Sequence, residues 1–263
     1  MAEKIATREA YGKALVEMGA KYENLVVLDA DLAAATKTGM FKKAFPDRFF
    51  DCGIAEGNMM SVAAGIAATG VTPFVSTFAM FAAGRAFEQV RNSIAYPHLN
   101  VKICATHAGI TVGEDGATHQ CNEDISLMRT IPGMTVINPA DAVETEAAVT
   151  AALDFDGPMY IRLGRAPVPT LNDRPDYRFE IGKGYVLAGG TDVTLVATGY
   201  MVHLALEARD ILAAEGISAR VVNIHTIKPL DTALIPACAE ETGAVVTAEE
   251  HSIIGGLGSA VAE

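Results

Sequence analysis

The fold is decided by the stretch Arg48–Thr77, RFFDCGIAEGNMMSVAAGIAATGVTPFVST. Its first residues predict a short strand, the residues from Glu56 to Gly70 predict a helix, and Val71–Thr77 predicts a second strand. A strand, a helix and another strand in this order are typical of a parallel sheet covered by helices. Because the helix is apolar nearly all round, we expect it to be deeply buried.

The same alternation continues on both sides of this stretch. Further helices are predicted at Thr7–Tyr22, Phe78–Tyr96 and Ala142–Leu153, and further strands at Asn24–Asp31, Asn100–His107 and Gly157–Arg165. These strands are apolar on both faces, as parallel strands between two helix layers are. The sequence therefore predicts an α/β fold with a parallel sheet.

A proline-rich segment separates this unit from a second one. Ala166–Glu180 contains three prolines and several charges, which is typical of a linker. We predict a first domain at 1–166, a linker at 167–182 and a smaller α/β domain at 183–263. The final segment, GGLGSAVAE, has the pattern of a helix beginning, so we expect the second domain to be incomplete or completed by a neighbour.

Composition limits the classes of function. Half of the 263 residues are hydrophobic, and the formal net charge is −12. Such an acidic chain disfavours a nucleic-acid partner, and a phosphorylated substrate would need a local group of arginines. Four scattered cysteines without a CxxC pair indicate reduced thiols in a cytoplasmic protein. The sequence predicts neither a secretory signal nor an apolar run of about 20 residues that could span a membrane.

Candidate functional residues follow the predicted strands, because open parallel sheets bind ligands at the carboxyl ends of their strands. They are Asp29, Asp31, Glu56, Thr77, Phe78, His107, the segment Gly113–Gln120 and Arg165. Each also has a simpler interpretation. Glu56 could be an acid favoured by the helix dipole, worth roughly 0.3–1 kcal/mol, and the histidines could be ordinary loop residues.

Two other kinds of site have weak support. A metal site formed by Glu114, Asp115 and His119 matches no established ligand spacing. The GGLG segment near the end lacks a complete dinucleotide fingerprint. A nucleotide-binding protein is therefore disfavoured.

Several segments together resemble the transketolase family. FDCGIAEGNM resembles the strand–turn–Glu–helix of these enzymes, and THAGITVGEDGATHQ closely resembles their signature from a histidine to GEDGxTH. VINPADAVE, IRLGR, VTLVATG and EEHSIIGGLGSAV fit later parts of the family pattern, so the resemblance covers essentially the whole chain. It implies a thiamine diphosphate enzyme that transfers a two-carbon glycolaldehyde unit from a ketose phosphate to an aldose phosphate.

One family motif is missing. Family members carry GDG followed by Asn, which holds the diphosphate through a divalent metal, whereas the only Asp-Gly pairs here are Asp115-Gly116 and Asp156-Gly157. The resemblance therefore implies half of a split transketolase, a pyrimidine-binding domain followed by part of the C-terminal domain. A separate N-terminal subunit would hold the diphosphate and Mg²⁺ or Ca²⁺, and this chain would hold no metal. We expect a heterotetramer with two copies of each chain.

The resemblance also implies how the cofactor is held. Glu56 would bond N1′ of the aminopyrimidine and so help to remove the C2 proton of the thiazolium, in a dry site. Phe78 and Phe81 resemble the aromatic residues that pack on the pyrimidine ring, and Asp31 resembles an acid near the cofactor. Gly84 stands where some relatives have another aromatic residue.

Substrate residues are implied in the same way. Arg8 and Arg165 would bind the substrate phosphate, Asp115 would bind a sugar hydroxyl, and His107 and His119 would act near the ketose end and the phosphate. The family often has a Ser after ADL that helps with the phosphate, but this chain has Ala33–Ala35 there. That difference leaves room for an unusual substrate.

Alternatives of the same and of another class stay open. A deoxyxylulose phosphate synthase is normally one long chain and differs near the second histidine. The β-subunit of a 2-oxoacid dehydrogenase shares the split architecture and the glutamate but not the GEDGxTH segment. A non-catalytic partner subunit is disfavoured because Glu56, His107 and His119 are all present.

Overall fold

A seven-stranded sheet forms the centre of the protein, whose computed structural model describes residues 4–263. From one edge to the other its strands are β12 (Thr226–Lys228), β6 (Thr135–Ile137), β7 (Met159–Arg162), β5 (Lys102–Thr106), β4 (Thr72–Phe78), β2 (Leu25–Asp29) and β3 (Phe49–Asp51). All neighbours run parallel except β12, which is antiparallel to β6. The predicted α/β fold with a parallel sheet is confirmed.

Helices cover both faces of this sheet. On one face, α1 (Thr7–Lys21) and α7 (Ala142–Asp154) pack over a core that includes Tyr11 and Leu15. On the other face, α4 (Glu56–Ala67) and the irregular segment 81–95 pack over a second core. Every residue of β4 and β5 is buried between the two layers. The short helices α2 (Ala33–Thr36), α3 (Gly39–Ala44), α5 (Phe87–Gln89) and α6 (Asp124–Arg129) lie between these elements in the chain.

Two predicted helices differ from expectation. One face of α4 is buried, but Ser61 and Val62 on the other face are exposed, so the prediction of deep burial all round was wrong for this chain. The predicted helix Phe78–Tyr96 begins later because β4 extends through Phe78. It is also interrupted by π-helical turns at Phe81–Arg85 and Val90–Ala95.

A second sheet of four strands follows, in the order β13 (Val245–Ala248), β10 (Val193–Ala197), β11 (Ala219–Asn223) and β9 (Tyr185–Ala188). Its helices are α8 (Met201–Ala214), α9 (Leu234–Thr242) and α10 (Leu257–Ala262). This unit is joined to the first one, because β12 pairs with β6 and because Val222, Ile224 and Leu257 share an apolar core with α4.

The predicted linker is partly ordered into a strand. Within it, β8 (Pro167–Pro169) pairs antiparallel with β1 (Lys4–Ala6). The exact domain limits stay a prediction. All four cysteines are free thiols, and no helix in residues 4–263 has the length and apolarity that a membrane crossing requires.

Candidate active site

Glu56 lies at the edge of the sheet where the parallel strands end. The turn before it is held by Asp51, whose Oδ1 accepts the N–H groups of Gly53 at 3.1 Å and Asp31 at 3.2 Å. Helix α4 then begins at Glu56 itself, whose side chain is only 1% exposed. The carboxylate is favoured there by the helix dipole, but burial requires a partner for its charge.

That partner is Arg85. Its Nη1 donates to both carboxylate oxygens of Glu56, at 3.0 Å from Oε1 and 2.9 Å from Oε2. The guanidinium carbon also lies 4.6 Å from the centre of the Phe81 ring. Arg85 therefore joins the buried acid to the aromatic residues of the site.

Phe78 and Phe81 form an aromatic wall beside this pair. Phe78 is the last residue of β4, Phe81 opens the π-helical turn, and their ring centres are 5.8 Å apart with nearly parallel planes. The His107 ring packs on Phe78 at 3.9 Å between centres, and His119 meets Phe81 edge-on at 5.3 Å. The wall thus connects the Glu56 side of the site to both histidines.

His107 is neutral in this arrangement. A guanidinium can only donate, so Arg8 Nη1 donates to Nε2 of His107 across 3.0 Å. The proton of the ring is then on Nδ1, which donates to Thr106 Oγ1 at 2.9 Å. Burial, followed by the positive charges of Arg8 and Arg165 and by His119, lowers the pKa of His107 to about 3.

Two arginines lie near this histidine. Arg8 Nη1 also donates to the main-chain oxygen of Ala35 at 2.9 Å, and burial and the nearby Arg165 lower the pKa of Arg8. Arg165 donates to Val112 O at 2.7 Å and binds the carboxylate of Glu114. Arg8 and Arg165 therefore form a local group of positive charge in a chain whose formal net charge is −12.

The loop after β5 also carries Asp115 and His119, two further residues of the predicted site. It contains a 3₁₀ turn at Ile110–Val112, and Asp115 is exposed beyond that turn. His119 Nδ1 lies 2.9 Å from Thr118 Oγ1. In residues 4–263, no three His, Cys, Asp or Glu side chains are grouped so that they could hold a metal ion.

The structure separates the two aspartates at the end of β2, which closes with Asp29 and is followed by Asp31. Asp29 is buried, and its carboxylate accepts bonds from Leu32 N at 2.6 Å, Thr36 Oγ1 at 2.7 Å and Thr38 Oγ1 at 2.8 Å. Burial raises the pKa of Asp29 despite these bonds. Asp29 thus supports the loop after β2, while Asp31 is exposed with a φ of 62°.

Sequence reasoning did not identify Arg85 or Glu250. Arg85 follows Phe78 and Phe81 at spacings of seven and four residues, so the helical repeat could have indicated a shared face. Glu250 could not have been found in this way, because its Oε1 accepts the N–H of Thr111 at 2.5 Å from a point 139 residues further along the chain. The Arg85 side chain contacts Glu56 and Phe81, and the Glu250 side chain contacts the main chain of the loop at Thr111.

Comparison with known proteins gives two matching family models. The transketolase pyrimidine binding domain matches residues 3–170, and the transketolase C-terminal domain matches residues 182–263. The chain belongs to the transketolase family. The resemblance found in the sequence is thereby confirmed.

Individual relatives agree with this family. A provisionally named transketolase C-terminal section from Methanocaldococcus jannaschii is 54% identical, over 97% of this chain and 80% of the relative. A 6-deoxy-6-sulfo-D-fructose transketolase subunit from Clostridium sp. is 48% identical, over 97% of this chain and 79% of the relative. A solved split gene transketolase, described as an inactive beta4 tetramer, has a TM-score of 0.91 and 61% identity, covering 99% of this chain and 85% of its own.

Proposed function

We propose that this chain is the pyrimidine-binding subunit of a split transketolase that depends on thiamine diphosphate. The enzyme would transfer a two-carbon glycolaldehyde unit from a ketose phosphate to an aldose phosphate. The observation that carries the proposal is the buried carboxylate of Glu56 beside the wall of Phe78 and Phe81 at the carboxyl edge of the sheet. Ligands of open α/β folds bind at this edge.

The residues present fit the pyrimidine half of the cofactor. Thiamine diphosphate supplies the carbanion chemistry when it is bound. Glu56 would bond the ring nitrogen N1′, and its burial excludes water that would compete for the carboxylate. Phe78 and Phe81 would pack against the ring, and Asp31 would lie near the cofactor on the side of the turn held by Asp51.

The substrate end of the site would recognise a sugar phosphate. Arg8 and Arg165 supply guanidinium groups, and a guanidinium can bind two oxygens of one phosphate at the same time. His107 would stay neutral and keep its Nδ1 proton, while His119 and Asp115 would contact the sugar. Because Glu114 binds Arg165 in the present structure, phosphate binding at Arg165 would replace that exposed ion pair.

The rest of the active site would come from a partner. The sequence lacks a GDG motif, and relatives of which the match covers 80% and 79% are named a C-terminal section and a subunit. We infer a separate N-terminal subunit that holds the diphosphate and Mg²⁺ or Ca²⁺, in a cytoplasmic heterotetramer with two copies of each chain. A complex containing one copy of each chain, measured by light scattering at working concentration, would contradict this assembly.

Reconstitution tests the proposed function. The chain is mixed with its N-terminal partner, thiamine diphosphate and Mg²⁺, and glycolaldehyde transfer from xylulose 5-phosphate to ribose 5-phosphate is followed. We expect activity only with both chains, and a loss of roughly 10²–10⁴-fold in Glu56→Gln. Glu88→Gln is the matched control, because Glu88 is exposed and its carboxylate accepts bonds from its neighbours Gln89 and Asn92.

The negative results separate the alternatives. A complex that binds the cofactor but does not use these sugars would indicate another substrate, and the main chain at Ala33–Ala35 beside Arg8 is where we would search first. Turnover of pyruvate instead would favour the deoxyxylulose phosphate synthase or 2-oxoacid dehydrogenase alternatives. Failure of the folded complex to bind cofactor would favour a non-catalytic subunit.

A further inference from the structure

Arg85 makes an unusual contact with the central acid of the site. Glu56 is 1% exposed, whereas the Arg85 side chain is 52% exposed and reaches inward to meet it. A single nitrogen, Nη1, lies between the two carboxylate oxygens at 3.0 and 2.9 Å. The contact therefore takes up an acceptor position on each of the two oxygens through which Glu56 would bond any other group.

The same guanidinium also covers part of the aromatic wall. Its carbon is 4.6 Å from the centre of the Phe81 ring, within the range of a cation–π contact. Phe81 in turn stacks with Phe78 at 5.8 Å. Arg85 is thus in contact with the buried acid on one side and with an aromatic face on another.

These two contacts match what the proposed ligand needs. A guanidinium is planar and delocalised, donates N–H groups to a carboxylate and stacks on aromatic rings. The aminopyrimidine ring of thiamine diphosphate is planar like the guanidinium. Under the proposed function it would likewise bond the Glu56 carboxylate and stack on the phenylalanines. Both groups would therefore compete for Glu56 and Phe81.

We propose that Arg85 is a stand-in for the aminopyrimidine. In the unloaded subunit Arg85 makes the contacts that the ring would make, and it leaves them when thiamine diphosphate binds. This inference rests on the proposed function. Before loading, Arg85 gives the buried carboxylate a counter-charge, since a buried charge without a partner is costly. During loading, the half-exposed side chain turns toward solvent from the end of the π-helical turn Phe81–Arg85.

The stand-in lowers the apparent affinity for the cofactor. A site that is competent for only a fraction of the time binds more weakly by that fraction. If Arg85 holds the contacts for about nine-tenths of the time, its removal tightens binding about tenfold. Arg85→Gln removes the charge and the guanidinium plane, and Arg85→Lys keeps the charge but removes the plane.

Calorimetric titration of the assembled complex with thiamine diphosphate and Mg²⁺ tests the inference. We expect Arg85→Gln to bind about tenfold more tightly than the unaltered complex, with Arg85→Lys between them. Arg91→Gln is the matched control, because Arg91 is exposed on the same segment, bonds Asn92 and should change affinity by less than about twofold. Circular dichroism checks that each variant is folded.

The outcomes also separate this inference from the proposed function. Equal or weaker binding by both Arg85 variants would overturn the stand-in, since a competitor cannot be removed without a gain. In that case normal binding by the unaltered complex would leave the proposed function in place. No cofactor binding by the folded, unaltered complex would overturn both.

Discussion

The Glu56 pocket and the loop after β5 are built in different ways. Glu56, Phe78, Phe81 and Arg85 all come from one continuous stretch of the chain, in which Glu56 contacts Arg85, Arg85 contacts Phe81, and Phe81 contacts Phe78. The loop from His107 to Gln120 is instead held both by Arg8 and Arg165 of the first unit and by Glu250 of the second unit. The comparison indicates that a continuous stretch of sequence forms the proposed cofactor side, whereas the loop on the proposed sugar side also depends on packing between the two units.

At its base, the loop after β5 packs closely against Glu250 of the second unit. Gly109 has a φ of 80° and a ψ of −172°, backbone angles that essentially only glycine adopts, and a Cβ atom added there would meet the Glu250 side chain. Below it, Arg162 donates to Asp124 Oδ2 and to Glu250 O, at 2.8 and 2.9 Å. These contacts join the loop, the large sheet and the end of the second sheet.

The largest expected effect comes from breaking the buried ion pair beneath the loop. Arg162→Met leaves Asp124 as a buried charge that retains the Tyr160 hydroxyl, so we expect a loss of about 3–5 kcal/mol in the free energy of unfolding. Urea denaturation measures it. The double variant with Asp124→Leu should recover part of the loss, because no charge is then left unpaired. A single variant that loses less than 1 kcal/mol would show that the pair is not structural.

A second effect concerns pH at the junction of the two units. Glu144 accepts bonds from the Tyr177 hydroxyl at 2.5 Å and from Asn223 Nδ2 at 2.8 Å, joining α7 to the linker and to β11. Burial raises the pKa of Glu144 from 4.5 to about 7, and these bonds only partly oppose it. The folded state therefore holds a proton that the unfolded state releases at lower pH.

Stability should consequently fall as pH rises from about 4.5 to about 7. The loss of stability due to Glu144 across this range is on the order of 3–4 kcal/mol, from about 1.4 kcal/mol per pKa unit. Urea denaturation at several pH values measures it, and Glu144→Gln should flatten this part of the profile. An unchanged slope in the variant would mean that another group binds the proton.

The smallest effect should fall on substrate affinity. Glu250→Ala removes the acceptor of Thr111 N–H, so the loop is less well positioned and we expect the KM for the sugar phosphates to rise about tenfold with a smaller change in kcat. Glu250→Gln keeps an acceptor oxygen and should be affected less. Glu240→Ala, an exposed residue of α9, is the control for lost charge. A normal KM in Glu250→Ala would contradict the role of the second unit.

The same contrast explains what the sequence could predict. Alternating apolar segments predicted the parallel sheet, and the GEDGATHQ segment indicated the family, since both are local patterns. The open face of α4 could not be predicted, because small residues such as Ser61 and Gly65 fit both solvent and an interface. The pairing of β12 with β6 and the contact of Glu250 depend on packing over long sequence separations, which no local pattern encodes.

The central claim is that the Glu56 carboxylate activates the cofactor. Hydrogen–deuterium exchange at C2 of thiamine diphosphate, measured by quenched-flow NMR in the assembled complex without sugar, tests this step apart from substrate binding. We predict that Glu56→Gln slows the exchange by roughly 10²–10⁴-fold while cofactor stays bound, and that Glu88→Gln does not. Exchange at the unaltered rate in cofactor-loaded Glu56→Gln would contradict the account.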